Sequence, residues 1–281
     1  MALSNLQQRL LTAAVAVPLL ILIFWAGGLW FLALVLFVTF VGMSEFYHLV
    51  AAKGLKPQRL IGTLAALGLA LNAFYGNQDY TALILTAAVL VCLAFQLFRD
   101  DLSTALTGSA TTLMGVLYVG WLLSHFVLLR NWLDPSSAGN DFGFFLVILV
   151  IATTFLADAG AYFTGRALGR HKLWPRISPS KTWEGAVGGV LVGSLGLLAT
   201  ILVFDKWIFP THFPRYHALI LGPLLVVVSI FGDLAESMLK RDAGVKDSGT
   251  IVPGHGGILD RLDSILFVVP TAYYYLLAFV Y

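Results

Sequence analysis

Apolar positions in this chain neither alternate nor keep to one helical face. They run on for about twenty residues at a time and give way to short polar clusters. The runs fall at 10–27, 30–49, 60–76, 80–98, 104–129, 142–163, 185–204, 217–234 and 262–281. About twenty apolar residues is the length a helix needs to cross the hydrocarbon core of a bilayer. Backbone groups find no water there, so spans of this kind are helices rather than open strands. The pattern predicts an all-α polytopic membrane protein with about nine transmembrane helices. The first run, with Arg9 before it and small residues at Ala26–Gly28, has the outline of a signal peptide. A second run follows at once, so a retained anchor is expected rather than cleavage.

Composition agrees and excludes a soluble domain. Of 281 residues, 59% are hydrophobic and 11% charged, with a mean hydropathy of +0.87; soluble chains carry about a quarter charged residues. The net charge of +2 is small and nucleic acid is not an expected partner. The single cysteine, Cys92, lies inside an apolar run, which excludes a disulfide framework and reads as packing. Charge distribution carries more information than its sum. With the N-terminus inside, fourteen of the seventeen Lys and Arg residues fall on interior loops, leaving Arg130, Lys206 and Arg215 outside. The positive-inside rule therefore predicts a cytoplasmic N-terminus and an external C-terminus.

The halves differ in kind. Residues 1–130 form expected helices without motifs, and residues 131–281 an expected catalytic region with its site on the cytoplasmic face. In the first half Asp100–Asp101 reads as a solvated helix end, His48 and His125 as interfacial, and Trp25, Trp30, Trp121 and Trp132 as an aromatic belt. The outer loop 205–216 reads as a structured turn.

Polar residues become clustered from Ala152 onward. One cluster is Asp158–Gly189, DAGAYFTGRALGRHKLWPRISPSKTWEGAVGG. Asp158 lies near the end of the sixth span, with Tyr162 one turn on and Arg166 and Arg170 beyond. Ser178-Pro179-Ser180-Lys181-Thr182-Trp183-Glu184-Gly185 then opens the seventh span. Such residues also spell an ordinary helix start, but a helix N-terminus presents free N–H groups to anions. With Lys181 added, the segment is a candidate phosphate cradle, without the spacing of a Walker A loop.

The other cluster, Phe231–Ser264, holds six carboxylates, four Lys or Arg, one His and six Gly. Asp233 and Glu236 are three apart on one helical face, and Lys240, Arg241, Lys246 and Asp247 follow. Pro253-Gly254-His255-Gly256-Gly257 is a loop only glycine-rich backbone folds tightly. Asp260 and Asp263, again three apart, are expected to share a face at the start of the ninth span. Carboxylates from two helix ends can converge on one cation, and hard oxygen ligands select Mg²⁺. Acids that merely complement a helix dipole would leave the glycine loop, His255 and the basic residues without a reason. Phosphoryl or nucleotidyl transfer at a membrane surface is the expected chemistry.

These motifs resemble a known signature. Ser237-x-Leu239-Lys240-Arg241-x4-Lys246-Asp247 followed by Pro253-x-His255-Gly256-Gly257-Ile258-x-Asp260-Arg261-Leu262-Asp263 is similar to that of the phosphatidate cytidylyltransferase (CDP-diglyceride synthase) family. Gly232-Asp233-Leu234-x-Glu236-Ser237, Asp158-x-x-Ala161-Tyr162 and Ser178-Pro179-x-Lys181-Thr182-x-Glu184-Gly185 resemble the same family. The likeness covers about the last 130 residues; the first half resembles the family only in being hydrophobic spans.

The resemblance implies that CTP and phosphatidic acid give CDP-diacylglycerol and pyrophosphate, in a bacterial-type cytoplasmic membrane with the site facing the cytoplasm. It implies Mg²⁺, extendable to a two-cation site, with Asp233 and Asp260 as ligands and Asp263 next. Lys240, Arg241 and Lys246 would bind phosphates of CTP or lipid, within a signature that includes Asp247. Ser178, Lys181 and Thr182 would contact the nucleotide, and His255 would donate to phosphate or organise its loop. Asp158, Tyr162, Arg166, Glu184, Glu236, Ser237 and Arg261 complete the expected substrate surroundings. A homodimer is compatible with these motifs.

Two rivals make different predictions. A CDP-alcohol phosphotransferase needs an early D-G-x2-A-R and a later pair of Asp four apart, which Asp158–Tyr162 and the Asp260–Asp263 spacing fail to supply. A cation-coupled transporter would carry paired repeats and acids near the midplane; here the charges gather at one face.

Overall fold

The computed structural model describes residues 5–76, 79–99, 102–132, 141–249 and 256–280, and the side chains from residue 14 onward. It is helical nearly throughout, and the chain divides into two compact units. The first comprises Met1–Leu128 with Leu239–Leu262, the second Leu129–Met238 with Asp263–Tyr281. This division differs from a single cut near residue 130, because the segment 239–262 joins the N-terminal helices.

The first unit contains α1 (Asn5–Ala26), α2 (Gly28–Ala52), α3 (Arg59–Tyr75), α4 (Thr81–Gln96) and α5 (Ala105–Gly115). A π-helical turn, Val116–Trp121, leads into α6 (Leu122–Arg130), and the short α10 (Leu259–Leu262) packs near α2. In lipid there is little hydrophobic drive between helices, so close packing and interhelical hydrogen bonds hold them together. Tyr47 donates to Thr112 O at 2.9 Å, and Gln58 Nε2 donates to Cys92 O at 2.8 Å. Phe24, Phe31 and Phe126 form an edge-to-face trio with centroids 5.2–6.1 Å apart. Cys92 is buried, as a packing residue should be. Trp25 and Trp30 are exposed at their helix ends, whereas His125 is buried, with Nδ1 2.8 Å from Trp121 O.

The second unit contains α7 (Phe142–Leu168), the strands β1 (Lys172–Trp174) and β2 (Ser178–Thr182), α8 (Trp183–Val203), a π-helical turn at Phe204–Ile208, most of α9 (Ala218–Asp242) and α11 (Ile265–Phe279). Asp141 starts α7 by accepting from Phe144 N at 2.9 Å, while Arg130 clamps the same carboxylate in a bidentate pair. Helices α7 and α8 lie against each other through small residues: a Cβ on Gly188 would meet Thr164, and one on Gly193 would meet Ala157. The loop 205–216 is structured, since Asp205 accepts from Thr211 N and Oγ1 and from Arg215.

Among the described residues, six helical stretches are long and apolar enough to cross a membrane: Gly28–Ala52, Ala105–Arg130, Phe142–Leu168, Trp183–Ile208, Arg215–Asp242 and Leu259–Phe279. Three shorter apolar helices are found at Ala14–Ala26, Arg59–Tyr75 and Thr81–Gln96. The chain is an all-α polytopic membrane protein, and its apolar helices coincide with the nine apolar runs of the sequence.

One local expectation is refined and another corrected. The segment from Ser178 does lead into α8, with Thr182 as its cap and Glu184 in its first turn, but Ser178–Thr182 is itself a strand paired antiparallel with β1, with Lys172 opposite Thr182 and Trp174 opposite Ser178. Pro179 cannot donate to a sheet ladder, yet a two-stranded ribbon consists only of edges, where proline is tolerated. Asp260 and Asp263 do not share one helical face, because the helix breaks between them. Ser264 N donates to Asp263 Oδ1 at 2.6 Å, a local bond that competes with helix continuation.

Candidate active site

The second unit carries a cleft of about 530 Å³. Asp158, Tyr162 and Arg166 reach it from α7, Ser180, Lys181 and Thr182 from β2, and Ile230 and Asp233 from α9. The strand pair explains how Lys181 gets there. Thr182 Oγ1 accepts from Gly185 N at 3.1 Å and caps α8. Glu184 accepts from Arg170 N and His171 N, with His171 Nδ1 2.6 Å from its Oε1, and so ties the ribbon's base to α8. Lys181 is thereby projected inward, and its Nζ pairs with Asp233 Oδ2 at 2.6 Å. Both side chains remain partly open to solvent, at 23% and 30%. On the other oxygen, Ser237 donates to Asp233 Oδ1 at 3.3 Å, and Arg166 Nη1 donates to Tyr162 OH at 2.9 Å.

Asp263 lies in electrostatic reach of Asp233, Asp158 and Lys181. What brings it there is Gly232: a Cβ at that position would sit 2.5 Å from Asp263 O. Asp158, Lys181 and Asp233 thus line the cleft, with Asp263 in electrostatic reach of all three. Among the described residues no three such side chains converge tightly enough to enclose a metal ion by themselves. Mg²⁺ is ordinarily held by one or two carboxylates with phosphate oxygens completing its shell, and hard carboxylate oxygens beside a cleft open to an anion suit that arrangement.

The first unit holds a second polar nest. Lys240 Nζ pairs with Asp260 Oδ1 at 2.6 Å; the Asp260 side chain is buried and that of Lys240 partly so. Asp260 Oδ2 accepts from Ser248 N at 3.0 Å and from Gly257 N at 2.8 Å. Gly256 has φ +83°, a left-handed conformation for which glycine has no steric penalty. Glu45 of α2 is the unexpected member: Ile258 N donates to its Oε1 at 3.0 Å and Leu259 N to its Oε2 at 2.9 Å.

The residues singled out from sequence thus fall into three groups. Asp158, Tyr162, Arg166, Lys181, Thr182 and Asp233 line one cleft, with Asp263 and Ser237 close to it. Lys240 and Asp260 pair in the first unit, where Arg241, Lys246, Asp247 and Arg261 are exposed. Ser178 and Glu184 do not line the cleft, and Glu236 is buried on α9. His255 lies outside the described residues. Sequence reasoning missed Ser180, Ile230, Ser248 and Glu45. Glu45 gave a usable signal, being the one acid within an apolar span of the first half, where an ionisable group defaults to a role.

A helical membrane protein with a cation-bearing, carboxylate-lined cleft at the ends of its spans belongs to the class that handles charged substrates beside lipid. Comparison with known proteins narrows the class. The model of the cytidylyltransferase family matches residues 7–279, and the chain belongs to that family. It is therefore a nucleotidyltransferase. It is 36% identical to a phosphatidate cytidylyltransferase of Synechocystis sp. over 95% of both chains. It is 35% identical to that of Bacillus subtilis over 98% of this chain and 99% of the relative. A chloroplastic phosphatidate cytidylyltransferase 4 of Arabidopsis thaliana is 34% identical, over 88% of this chain and 67% of the relative.

Proposed function

We propose that the chain transfers the cytidylyl group of CTP to phosphatidic acid, giving CDP-diacylglycerol and pyrophosphate. The observation that carries this reading is the family match, which runs almost end to end and leads to relatives named for that reaction. The chemistry of the cleft is compatible with it. A phosphomonoester has a second pKa of about 6 and is largely ionised at neutral pH, so its oxygen attacks without a strong general base. That oxygen bonds to the α-phosphorus of CTP as the bond to pyrophosphate breaks, and the electron pair departs on pyrophosphate.

The physical difficulty is to bring two polyanions together and to stabilise the one that leaves. Fixed cations meet both needs. In this reading Lys181 binds nucleotide phosphate, exchanging its contact with Asp233 for one with substrate, and Arg166 and Tyr162 border the same anion. Lys240, with Arg241 and Lys246 nearby in sequence, serves phosphate from the first unit. Mg²⁺, held by Asp233 with Asp263, would supply charge neutralisation on the phosphate oxygens.

The same reading has nine crossings, N-terminus in the cytoplasm and C-terminus outside, in a bacterial inner membrane. At about 1.5 Å per residue, Arg59–Tyr75 and Thr81–Gln96 reach about 24–26 Å; helices that short cross where the bilayer thins. The reading accommodates a homodimer.

The test incubates purified protein with CTP, Mg²⁺ and a panel of lipid phosphates, with product identified by mass. CDP-diacylglycerol formed from phosphatidic acid is the expected result. Turnover of an isoprenoid phosphate alone, or CMP release from supplied CDP-lipid, would replace the reading.

A further inference from the structure

We propose that Glu45 is a positioning residue that holds the Lys240–Asp260 pair in place; the inference rests on Lys240 serving phosphate as described above. Glu45 is the only acid in α2, a span otherwise almost wholly apolar, and it is only 3% exposed. A buried carboxylate is costly unless its oxygens are hydrogen-bonded. Here the partners come from more than 200 positions along the chain: Ile258 N, Leu259 N and the Ser248 hydroxyl, the last 3.1 Å from Oε2.

Ser248 extends the chain of contacts. Its backbone N donates to Asp260 Oδ2 at 3.0 Å, so that the residue still joins the two carboxylates when its Oγ, 3.1 Å from each and with one proton to give, donates to Glu45. Asp260 in turn holds Lys240 Nζ through Oδ1. Glu45, Ser248, Asp260 and Lys240 therefore form one continuous path that begins on a membrane helix and ends on the ammonium. The backbone accommodates it only with glycine. A Cβ on Gly249 would sit 2.4 Å from Glu45 Oε1, and one on Gly257 would sit 2.6 Å from Glu45 Oε2 and 2.2 Å from Ser248 Oγ.

A purely structural clamp would lower the yield of folded protein without changing turnover per folded molecule. A positioning residue lowers kcat itself. Glu45→Gln separates the two, because it keeps the volume but turns one acceptor oxygen into a donor facing other donors. The full chain in lipid-containing micelles is compared as wild type, Glu45→Gln and Ser248→Ala, by hydrogen exchange and by turnover.

In Glu45→Gln, peptides covering 245–249 and 256–262 should exchange about tenfold faster than wild type, while those covering 142–208 do not change. With CTP, Mg²⁺ and phosphatidic acid, kcat per folded molecule should fall about tenfold or more, with KM for phosphatidic acid unchanged. Adding Ser248→Ala should then cost little more, since the same path is already cut. Should Glu45→Gln fail to fold, Ser248→Ala alone, which deletes only the bridging hydroxyl, should lower kcat by about threefold at unchanged melting temperature.

Wild-type exchange rates in Glu45→Gln overturn the proposal whatever the enzyme makes. Faster exchange with unchanged kcat overturns positioning and leaves a structural clamp. A wild-type protein that makes no CDP-lipid counts against the proposed function instead, and exchange alone then decides whether Glu45 fixes this segment.

Discussion

Gly232→Ala offers a perturbation whose sign depends on a single contact. In an exposed helix the change should stabilise by up to about 1 kcal/mol, since alanine is the better helix former. Gly232 is buried on α9, and the added Cβ would lie 2.5 Å from Asp263 O, 3.1 Å from Ser264 Cα and 3.3 Å from Asp263 C. These are backbone atoms, so no rotamer change relieves the clash. Ordinary contact begins at 3.4 Å, so the start of α11 must retreat by 0.9 Å, the difference between 3.4 and 2.5 Å. Overpacking of this kind costs about 1–3 kcal/mol. The retreat carries Asp263 away from Asp233, and a misplacement of about 1 Å in a catalytic constellation can cost about 10²-fold in rate. Turnover of CTP into CDP-lipid should therefore fall by about two orders of magnitude, alongside a modest loss of thermal stability in the same micelles. Activity within threefold of wild type at unchanged or raised stability would refute the link between Gly232 and the placement of Asp263.

Other substitutions probe separate parts of the site. Lys181→Met should raise KM for CTP by about tenfold or more, as a lost charged hydrogen bond is worth about 1.5–3 kcal/mol; steady-state kinetics at varied CTP read this directly. Its effect on stability should stay below about 1 kcal/mol, because the pair with Asp233 is partly solvated. Thr182→Ala removes the cap of α8 and should lower unfolding free energy by about 1 kcal/mol, seen in denaturant melts; no change would mean the cap is dispensable. Asp260→Asn removes the negative partner of Lys240 and should cost about 1.5–3 kcal/mol, the worth of a charged hydrogen bond, visible as early proteolysis of the segment 239–262. Chelation with EDTA should abolish CDP-lipid formation and added Mg²⁺ should restore it; full activity in chelator would remove the divalent cation from the reading.

The long spans were legible because apolar run length is a direct physical requirement of the bilayer: six of the runs became helices of spanning length and three became shorter ones among the described residues. The motif residues Asp158, Lys181 and Asp233 were legible as a charge anomaly, since a bilayer-embedded chain carries such groups only at some cost. That the two clusters would meet was legible too, but not the means by which Lys181 gets there. Lys181 reaches the cleft on a two-stranded ribbon, whose pairing depends on the tie between Glu184 and the Arg170–His171 backbone rather than on any periodicity. The i, i+3 spacing of Asp260 and Asp263 suggested a common helical face, but Ser264 breaks the helix and sends the two carboxylates to different units. Glu45 was passed over because the partners that give it meaning, Ser248, Ile258 and Leu259, are separated from it by more than 200 residues. Long-range pairing of this kind leaves no trace in local pattern.

Fate of the phosphates is the most direct measure of what the chain does. Purified protein in phosphatidic acid-containing vesicles would be given CTP labelled at the α-phosphorus in one reaction and at the γ-phosphorus in another. Cytidylyl transfer puts the α label into extractable lipid and the γ label into water-soluble pyrophosphate, in equal amounts and only when phosphatidic acid is present. An α label that stays in water, or appears as CMP whether or not phosphatidic acid is supplied, would contradict the proposed reaction.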